Sequence, residues 1–466
     1  MSEFLFEEFK PVSAKAWKQK IQYDLKGEDY NEKLVWQSPE GIHVKPFYHQ
    51  DDFSEPFQPV PGQPESWRIL QEVFIDDPGK ANRIAIHAVE RGAEGIIFKA
   101  EKEFEIQTVF KDFPFEKITV YLDFNFLDGR FYKEILQFLK KKQALFYVSL
   151  DSIGKLARTG NWFKNKQEDF KTLQEIVSHH PETNLLAVDM SLYQNAGATI
   201  VQQLVYGLAH ANEYLNYFIE NQKIQTPLPL LFRVSVGSNY FFEIAKLRAL
   251  RKLYAILAEE YNLKTTCHIL AVPSRRNKTL YDYNVNMLRT TTESMSAVLG
   301  GADAVCNLAY DAVFHKSNEF GERMARNQLL ILKEESYFDA VKNPVDGTYY
   351  IESLTESLID DSLVLFKDIE KNGGFLSQLK KGIIQKKIRE NAEREQDKFD
   401  SGELKLLGTN YHPNPRDRMK DDLELYPFLK HNPVKTHIEP ILEKRLAENE
   451  EQKRLQEEES GNSTKL

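Results

Sequence analysis

The sequence predicts an α/β protein built as a (β/α)8 barrel of the TIM type, with an extended N-terminal arm and a short charged C-terminal helix and tail. Three observations lead there. Eight short β-rich runs are spaced along the chain from about residue 67. They are nearly continuous in apolar character, as strands covered on both faces are. The stretches between them carry helical rather than alternating patterns, and eight such β-then-α units favour a closed barrel over an open sheet.

The runs, in order, are "WRILQEVF" at 67, "EGIIFKA" at 94, "ITVYLDF" at 118 and "LFYVSLD" at 145. "LLAVDM" at 185, "LLFRVSV" at 230, "TCHILAVPS" at 266 and "AVCNLAY" at 304 complete the set. Two helical stretches carry the clearest signals. In "FFEIAKLRALRKLYAILAEEY", Ile244, Leu247, Leu250, Leu253 and Leu257 form one apolar stripe. "DPGKANRIAIHAVERG" opens on Asp-Pro and closes on Gly92, a start and a stop.

Residues 61–405 are assigned to the barrel domain. Residues 1–60 form an arm, with one helical pattern, "SAKAWKQKIQYDL", followed by a Pro-punctuated extended segment that lies on the barrel or on another chain. Residues 406–466 read as a linker remnant and a charged tail. "HIEPILEKRLAENEEQKRLQEEESGNSTKL" has few apolar anchors and is expected to be a solvated helix fraying into disorder, with a partner-binding helix as the alternative. No internal repeat is evident.

A chain of 466 residues with 41% hydrophobic content can bury a large core. Its net charge of −9 favours neither nucleic acid nor an anionic membrane as partner. The opening "MSEFLFEEFK" lacks a secretory pattern, and no apolar run approaches the ~18 residues of a membrane span. Only Cys267 and Cys306 occur, both inside apolar runs, as expected of reduced thiols in a cytoplasmic protein.

Chemistry in such a barrel sits at the C-terminal strand ends. Those ends supply Glu72, Lys99, Asp123, Asp151, Asp189, Ser191, Ser235, Ser238, Ser274, Arg275, Arg276, Tyr310 and Asp311. Carboxylates with arginines suit a divalent metal or a phosphorylated substrate, but every barrel has polar strand ends. "SRRNK" at 274 is either a phosphate cradle or a solvated turn, and no Walker-type loop is present. His268, in mid-strand between Cys267 and Ile269, reads as a hydrogen-bonded core histidine. The strand-to-helix junction "DMSLYQNAGAT" at 189 is placed like an active site, yet it offers no acid, base or nucleophile beyond Asp189, Ser191 and Tyr193.

That junction resembles methylmalonyl-CoA mutases, whose catalytic subunit carries S-G-Y-H-M-Q-E-A-G-A-T there. "WQSPEGIHVKPFY" resembles the family's W-x-T-P-E-G-I-x-V-K-P-L-Y, and "PGQPESWRILQEV" its P-G-x-x-P…R-P-W-T-I-R-Q-Y-A. "NVNMLRTTTESMSAVLGGADAVCNLAYDAV", "ERMARNQLLILKEES", "NPVDGTYYIESLTESL" and "IEKNGGF" continue the order, so the resemblance spans roughly residues 5–415.

The departures point to the family's small, non-catalytic type of subunit. The catalytic Tyr-His pair falls on Ser191 and Leu192; one is too short and the other has no donor. The arginine and tyrosine of T-I-R-Q-Y fall on Leu70 and Glu72, which offer a substrate carboxylate no positive partner. The histidine and glutamine of R-T-H-x-Q-T-S-G become Leu270 and Val272. Where family members line the axis with serines so that CoA threads through, Leu185 and Ala187 stand instead.

The resemblance therefore implies that no catalytic, cofactor-binding or metal-ligating residue is retained here. No D-x-H-x-x-G cobalt motif occurs. Adenosylcobalamin, and the interconversion of methylmalonyl-CoA and succinyl-CoA, would belong to a large catalytic subunit that forms a heterodimer with this chain. The alternatives are a subunit of another acyl-CoA mutase of the superfamily, or a stand-alone barrel acting as a binding or scaffold protein.

Overall fold

A computed structural model describes residues 9–180, 183–220, 228–429 and 434–460. The extreme ends of the expected arm and tail, residues 1–8 and 461–466, lie outside them.

Eight parallel strands form the barrel: β1 (Arg68–Phe74), β2 (Gly95–Ala100), β3 (Thr119–Phe124), β4 (Phe146–Val148), β5 (Leu186–Asp189), β6 (Leu230–Val236), β7 (His268–Pro273) and β8 (Ala304–Cys306). Pairing runs β4-β3-β2-β1-β8-β7-β6-β5. The circle is completed between β4 and β5, where Leu150 bridges Leu186 and the Val148 N–H donates to the Asn184 carbonyl at 2.9 Å. All eight runs expected from the sequence are therefore strands, in order and in register around one closed sheet.

The covering helices include α1 (Pro78–Glu90), α2 (Gly129–Lys141), α3 (Ser152–Thr159), α4 (Lys166–Ser178), α5 (Ile200–Leu215) and α6 (Tyr240–Glu260). Asp77 caps α1 through the Lys80 N–H with Pro78 in the first turn, the start signal read from the sequence. α5 opens with a capping box between Thr199 and Gln202. Just before it, Gly197 has φ +96°, and a Cβ there would lie 2.7 Å from the Ala392 methyl and 2.9 Å from the Arg276 guanidinium. The junction thus needs glycine for both conformation and space.

The interior of the barrel is filled. Leu70, Ile97, Tyr121, Ala187, Leu231, Leu270, Ala304 and Cys306 form one buried cluster, with Tyr147 and Val272 against it. At its base Tyr147 stacks on His268 with centroids 3.9 Å apart, and the Tyr121 hydroxyl meets His268 Nε2 at 2.9 Å. His268 is a hydrogen-bonded core residue, and burial pushes its pKa down to about 4. Ala187 lines the axis as expected, whereas Leu185 is buried in the larger cluster between barrel wall and helices.

The arm divides in two. Residues 36–60 lie on the barrel: Trp36 packs edge-on to Phe242 and Phe53 stacks on Tyr349. Glu40 accepts from the Val201 N–H in the first turn of α5. The helix Ala14–Asp24 before it, capped by Ser13, buries no residue. Trp17 is 50% exposed and Tyr23 80%.

The tail differs from its expected solvated state. Helix α7 (Glu448–Glu459) turns Glu448, Glu451 and Glu458 inward, all buried. These carboxylates accept backbone N–H groups: Glu451 from Leu280 at 2.7 Å, Glu448 from Leu429 at 2.9 Å and Glu458 from Met419 at 2.9 Å. Arg445 also pairs with Glu451 at 2.6 Å. A charge pattern read as a water-facing surface is instead a set of caps for otherwise unpaired loop amides.

Candidate functional site

Because side chains alternate along a strand, the positions above the plug are Glu72 on β1, Lys99 on β2, Asp123 on β3, Asp189 on β5, and Arg233 and Ser235 on β6. They line a cavity of about 630 Å³ at the C-terminal mouth, shared with Arg275 and with residues of the loops after β8. Arg233 donates to Asp123 at 2.7 Å and lies 3.6 Å from Glu72; Lys99 lies 3.3 Å from Glu72. Burial pushes the Glu72 carboxyl up, but Lys99, Arg233 and Arg275 together hold it below the ordinary glutamate value.

A second set of ion pairs closes the rim. Arg158, on α3, spans Asp189 at 2.7 Å and Glu443 at 3.0 Å. Glu443 arrives on a strap, residues 437–447, that crosses the rim. Its Ile441 N–H donates to the Ala157 carbonyl at 2.8 Å, its Lys444 N–H to Asn195 at 3.2 Å and its Leu446 N–H to Arg276 at 2.9 Å. Gly160 permits the crossing: its φ is +76°, and a Cβ would fall 2.5 Å from the Ile438 carbonyl oxygen. Asp189 also accepts the Ser191 hydroxyl, and Arg158 holds its carboxyl below the ordinary value against the upward push of burial.

The profile of the methylmalonyl-CoA mutase family matches residues 85–458. The chain belongs to that family. It is 34% identical to the methylmalonyl-CoA mutase small subunit of Porphyromonas gingivalis, over 98% of this chain and 79% of that protein. It is 26% identical to the methylmalonyl-CoA mutase of Cereibacter sphaeroides over 85% of this chain and 64% of that one. The human mitochondrial enzyme matches at 26% over 84% of this chain and 60% of its own length. The chain thus spans less than two thirds of the last two relatives.

The six positions that the resemblance reads as departures fall in three zones. Leu70, Glu72, Ser191 and Val272 border the mouth cavity. Leu270, 1% exposed, belongs to the plug beneath it. Leu192, also 1% exposed, packs into the wall cluster and does not border the cavity.

Of the other strand-end residues, Lys99, Asp123, Asp151, Asp189, Ser235, Arg275 and Asp311 do reach it. Ser238, Ser274, Arg276 and Tyr310 do not. "SRRNK" is neither a solvated turn nor a simple phosphate cradle. Arg276 pairs with Glu395 at 2.6 Å and Lys278 is buried on Glu293 at 2.8 Å, leaving only Arg275 exposed.

Several members of the mouth escape the sequence reading, Arg233, Arg158 and Glu443 among them. Arg233 has a signal, since Leu231, Arg233 and Ser235 alternate with apolar partners in "LLFRVSV". Arg158 and Glu443 have none, because both depend on how the strap returns to the rim. Among the described residues no group of three metal-ligating side chains occurs.

The histidine on the cavity wall, His315, is held at Nδ1 by Asp311 (3.1 Å) and at Nε2 by Asp422 (3.2 Å). With both ring nitrogens committed, it does not fit as an axial ligand for the cobalt of the cobalamin that the resemblance implies. No helix among the described residues is long and apolar enough to cross a membrane.

Proposed function

We propose that the chain is the non-catalytic small subunit of a heterodimeric, adenosylcobalamin-dependent methylmalonyl-CoA mutase. The isomerisation of methylmalonyl-CoA to succinyl-CoA takes place in the large subunit, which holds the cofactor. The observation that carries this reading is the plugged axis. With Leu70, Ile97, Tyr121, Leu231 and Leu270 filling the barrel and Tyr147 stacked on His268 beneath, no passage remains for a pantetheine arm.

The positions Leu70, Glu72, Ser191, Leu192, Leu270 and Val272 support it, since none supplies the donor or cation that its family counterpart does. The role left to this barrel is architectural: it buttresses the catalytic barrel through a large interface. The exposed helix Ala14–Asp24, with Trp17 and Tyr23 unburied, is the part of the arm that reaches the partner. The two free, buried cysteines support a cytoplasmic location.

Calorimetric titration of the chain with methylmalonyl-CoA and succinyl-CoA tests the plug directly. No saturable binding is expected; a dissociation constant tighter than about 1 mM for either thioester would overturn the reading.

A further inference from the structure

Part of the mouth wall belongs to the C-terminal segment and not to the barrel. Residues 419–428 lie against the loop that follows β8. The Glu424 and Leu425 N–H groups both donate to the Phe314 carbonyl, at 2.9 and 2.8 Å. Met419 and Phe428 join Val313 and Phe314 in one apolar cluster. Leu425 borders the mouth cavity together with His315 and Lys316 of the loop, so the fit of this segment decides how closed that side of the mouth is.

His315 ties loop and segment together. Its Nδ1 faces Asp311, in its own loop, at 3.1 Å, and its Nε2 faces Asp422, on the segment, at 3.2 Å. Asp311 is 2% exposed and also accepts from Asn318 at 2.7 Å. Among the described residues His315 is the one ion-pair partner of either aspartate. A carboxylate accepts hydrogen bonds and donates none, so a ring between two of them satisfies both only as imidazolium, with an N–H on each nitrogen. The neutral ring has a single N–H and must turn a lone pair toward one carboxylate.

Burial pushes the ring's pKa down, but the hydrogen bonds and charges of Asp311 and Asp422 outweigh it and hold the pKa above the ordinary histidine value. The side chain is 25% exposed, enough to exchange its proton with water. The other charged groups at this corner have partners of their own. Glu424 accepts the Lys316 N–H at 2.9 Å, and Glu322 accepts from Ser317 and Gln71. Lys316, next in the chain, and the Tyr310 phenol, which feels both aspartates, complete the set.

We propose that His315 is a pH-operated latch on the barrel mouth: as an imidazolium it ties residues 419–428 to the loop after β8, and on losing its proton it lets that wall loosen. The sign follows from the raised affinity for the proton. The latch contributes fully below the ordinary histidine value of about 6.5 and is lost as pH rises through the folded value. The latch does not depend on the subunit role and would stand if that role failed.

Hydrogen exchange of the full chain tests it, followed by mass spectrometry between about pH 6 and about pH 9 and corrected for the intrinsic rate at each pH. Protection of peptides covering residues 419–428 should fall about two- to fivefold across that range, while β2, in the barrel wall, serves as the unchanged reference. D422N separates the latch from simple packing. With an amide opposite Nε2, the neutral ring donates to Asp311 and accepts from that amide, so the segment should stay seated and its pH dependence should vanish. H315Q should flatten the profile too, since glutamine does not titrate. A flat profile in the parent chain, or a slope in D422N or H315Q equal to the parent's, would overturn the proposal.

Discussion

Replacing Glu40 with glutamine should change the pH dependence of folding in a defined direction. Glu40 sits in the arm segment that lies on the barrel, and it accepts the Val201 N–H at the start of α5. Burial raises its carboxyl from 4.5 to about 7, against the lowering effect of the Ile200 and Val201 N–H groups. Below the unfolded value both states are protonated and the buried neutral acid contributes its full stability. As pH rises through that window the unfolded chain gives up its proton while the folded one keeps it, so stability falls; above the folded value the contribution is gone.

The step from 4.5 to about 7, at ~1.4 kcal/mol per tenfold change, sets a ceiling of about 3 kcal/mol. The carboxyl keeps a little solvent contact, and the screening that goes with it leaves about 1–2 kcal/mol. Glutamine keeps an acceptor for Val201 and does not titrate. The stability of E40Q relative to the parent should therefore rise by about 1–2 kcal/mol between about pH 5 and about pH 8, measured by urea unfolding. Glu370, whose carboxyl is also raised to about 7, is common to both proteins and cancels. A flat difference, or a parent that gains on the variant as pH rises, would refute the reasoning.

The interior plug makes a second prediction. Leu231→Ala, at a fully buried axis position, should cost about 2–5 kcal/mol by chemical unfolding, and a loss below about 1 kcal/mol would mean the axis is loosely packed. At the rim, Arg158→Ala leaves Asp189 and Glu443 facing each other and should cost about 2 kcal/mol, with faster proteolysis of the strap; Glu443→Gln should cost less than half of that. Equal losses would mean that Arg158 does not bridge the two. Trp17→Ser should leave the melting curve of the isolated chain unchanged while weakening association with a catalytic subunit at least about tenfold. Unaltered pairing on a sizing column would remove the N-terminal helix from the interface.

Strands and long helices are legible in the sequence because the barrel repeats one local rule eight times. "LLFRVSV" is a strand from Leu230 to Val236 without revision, and Asp77-Pro78 starts a helix where a cap and a first-turn proline should. The filled axis is legible only in part: Ala187 lines it as the sequence suggests, while Leu185, the residue expected to fill it, turns into the wall cluster and Leu70 and Leu270 do the filling.

The rim is not legible. Glu443 looks like one more charge in a solvated tail, and only the path of residues 437–447 over Gly160 brings it to Arg158. Glu448, Glu451 and Glu458 mislead for a related reason: hydropathy counts them as water-seeking, while their partners are backbone N–H groups of distant loops. Leu192 shows the limit of reading one motif by position, because its neighbour Ser191 borders the mouth while Leu192 turns into the wall.

The assignment of chemistry to a partner rests most directly on one assay. Conversion of methylmalonyl-CoA to succinyl-CoA with adenosylcobalamin is to be followed for this chain alone, for a catalytic large subunit alone, and for the two together. No turnover by this chain and full turnover by the pair is the predicted result. Turnover by this chain alone would contradict it, and would mean that a barrel plugged by Leu70, Tyr121, Leu231 and Leu270 still admits an acyl-CoA.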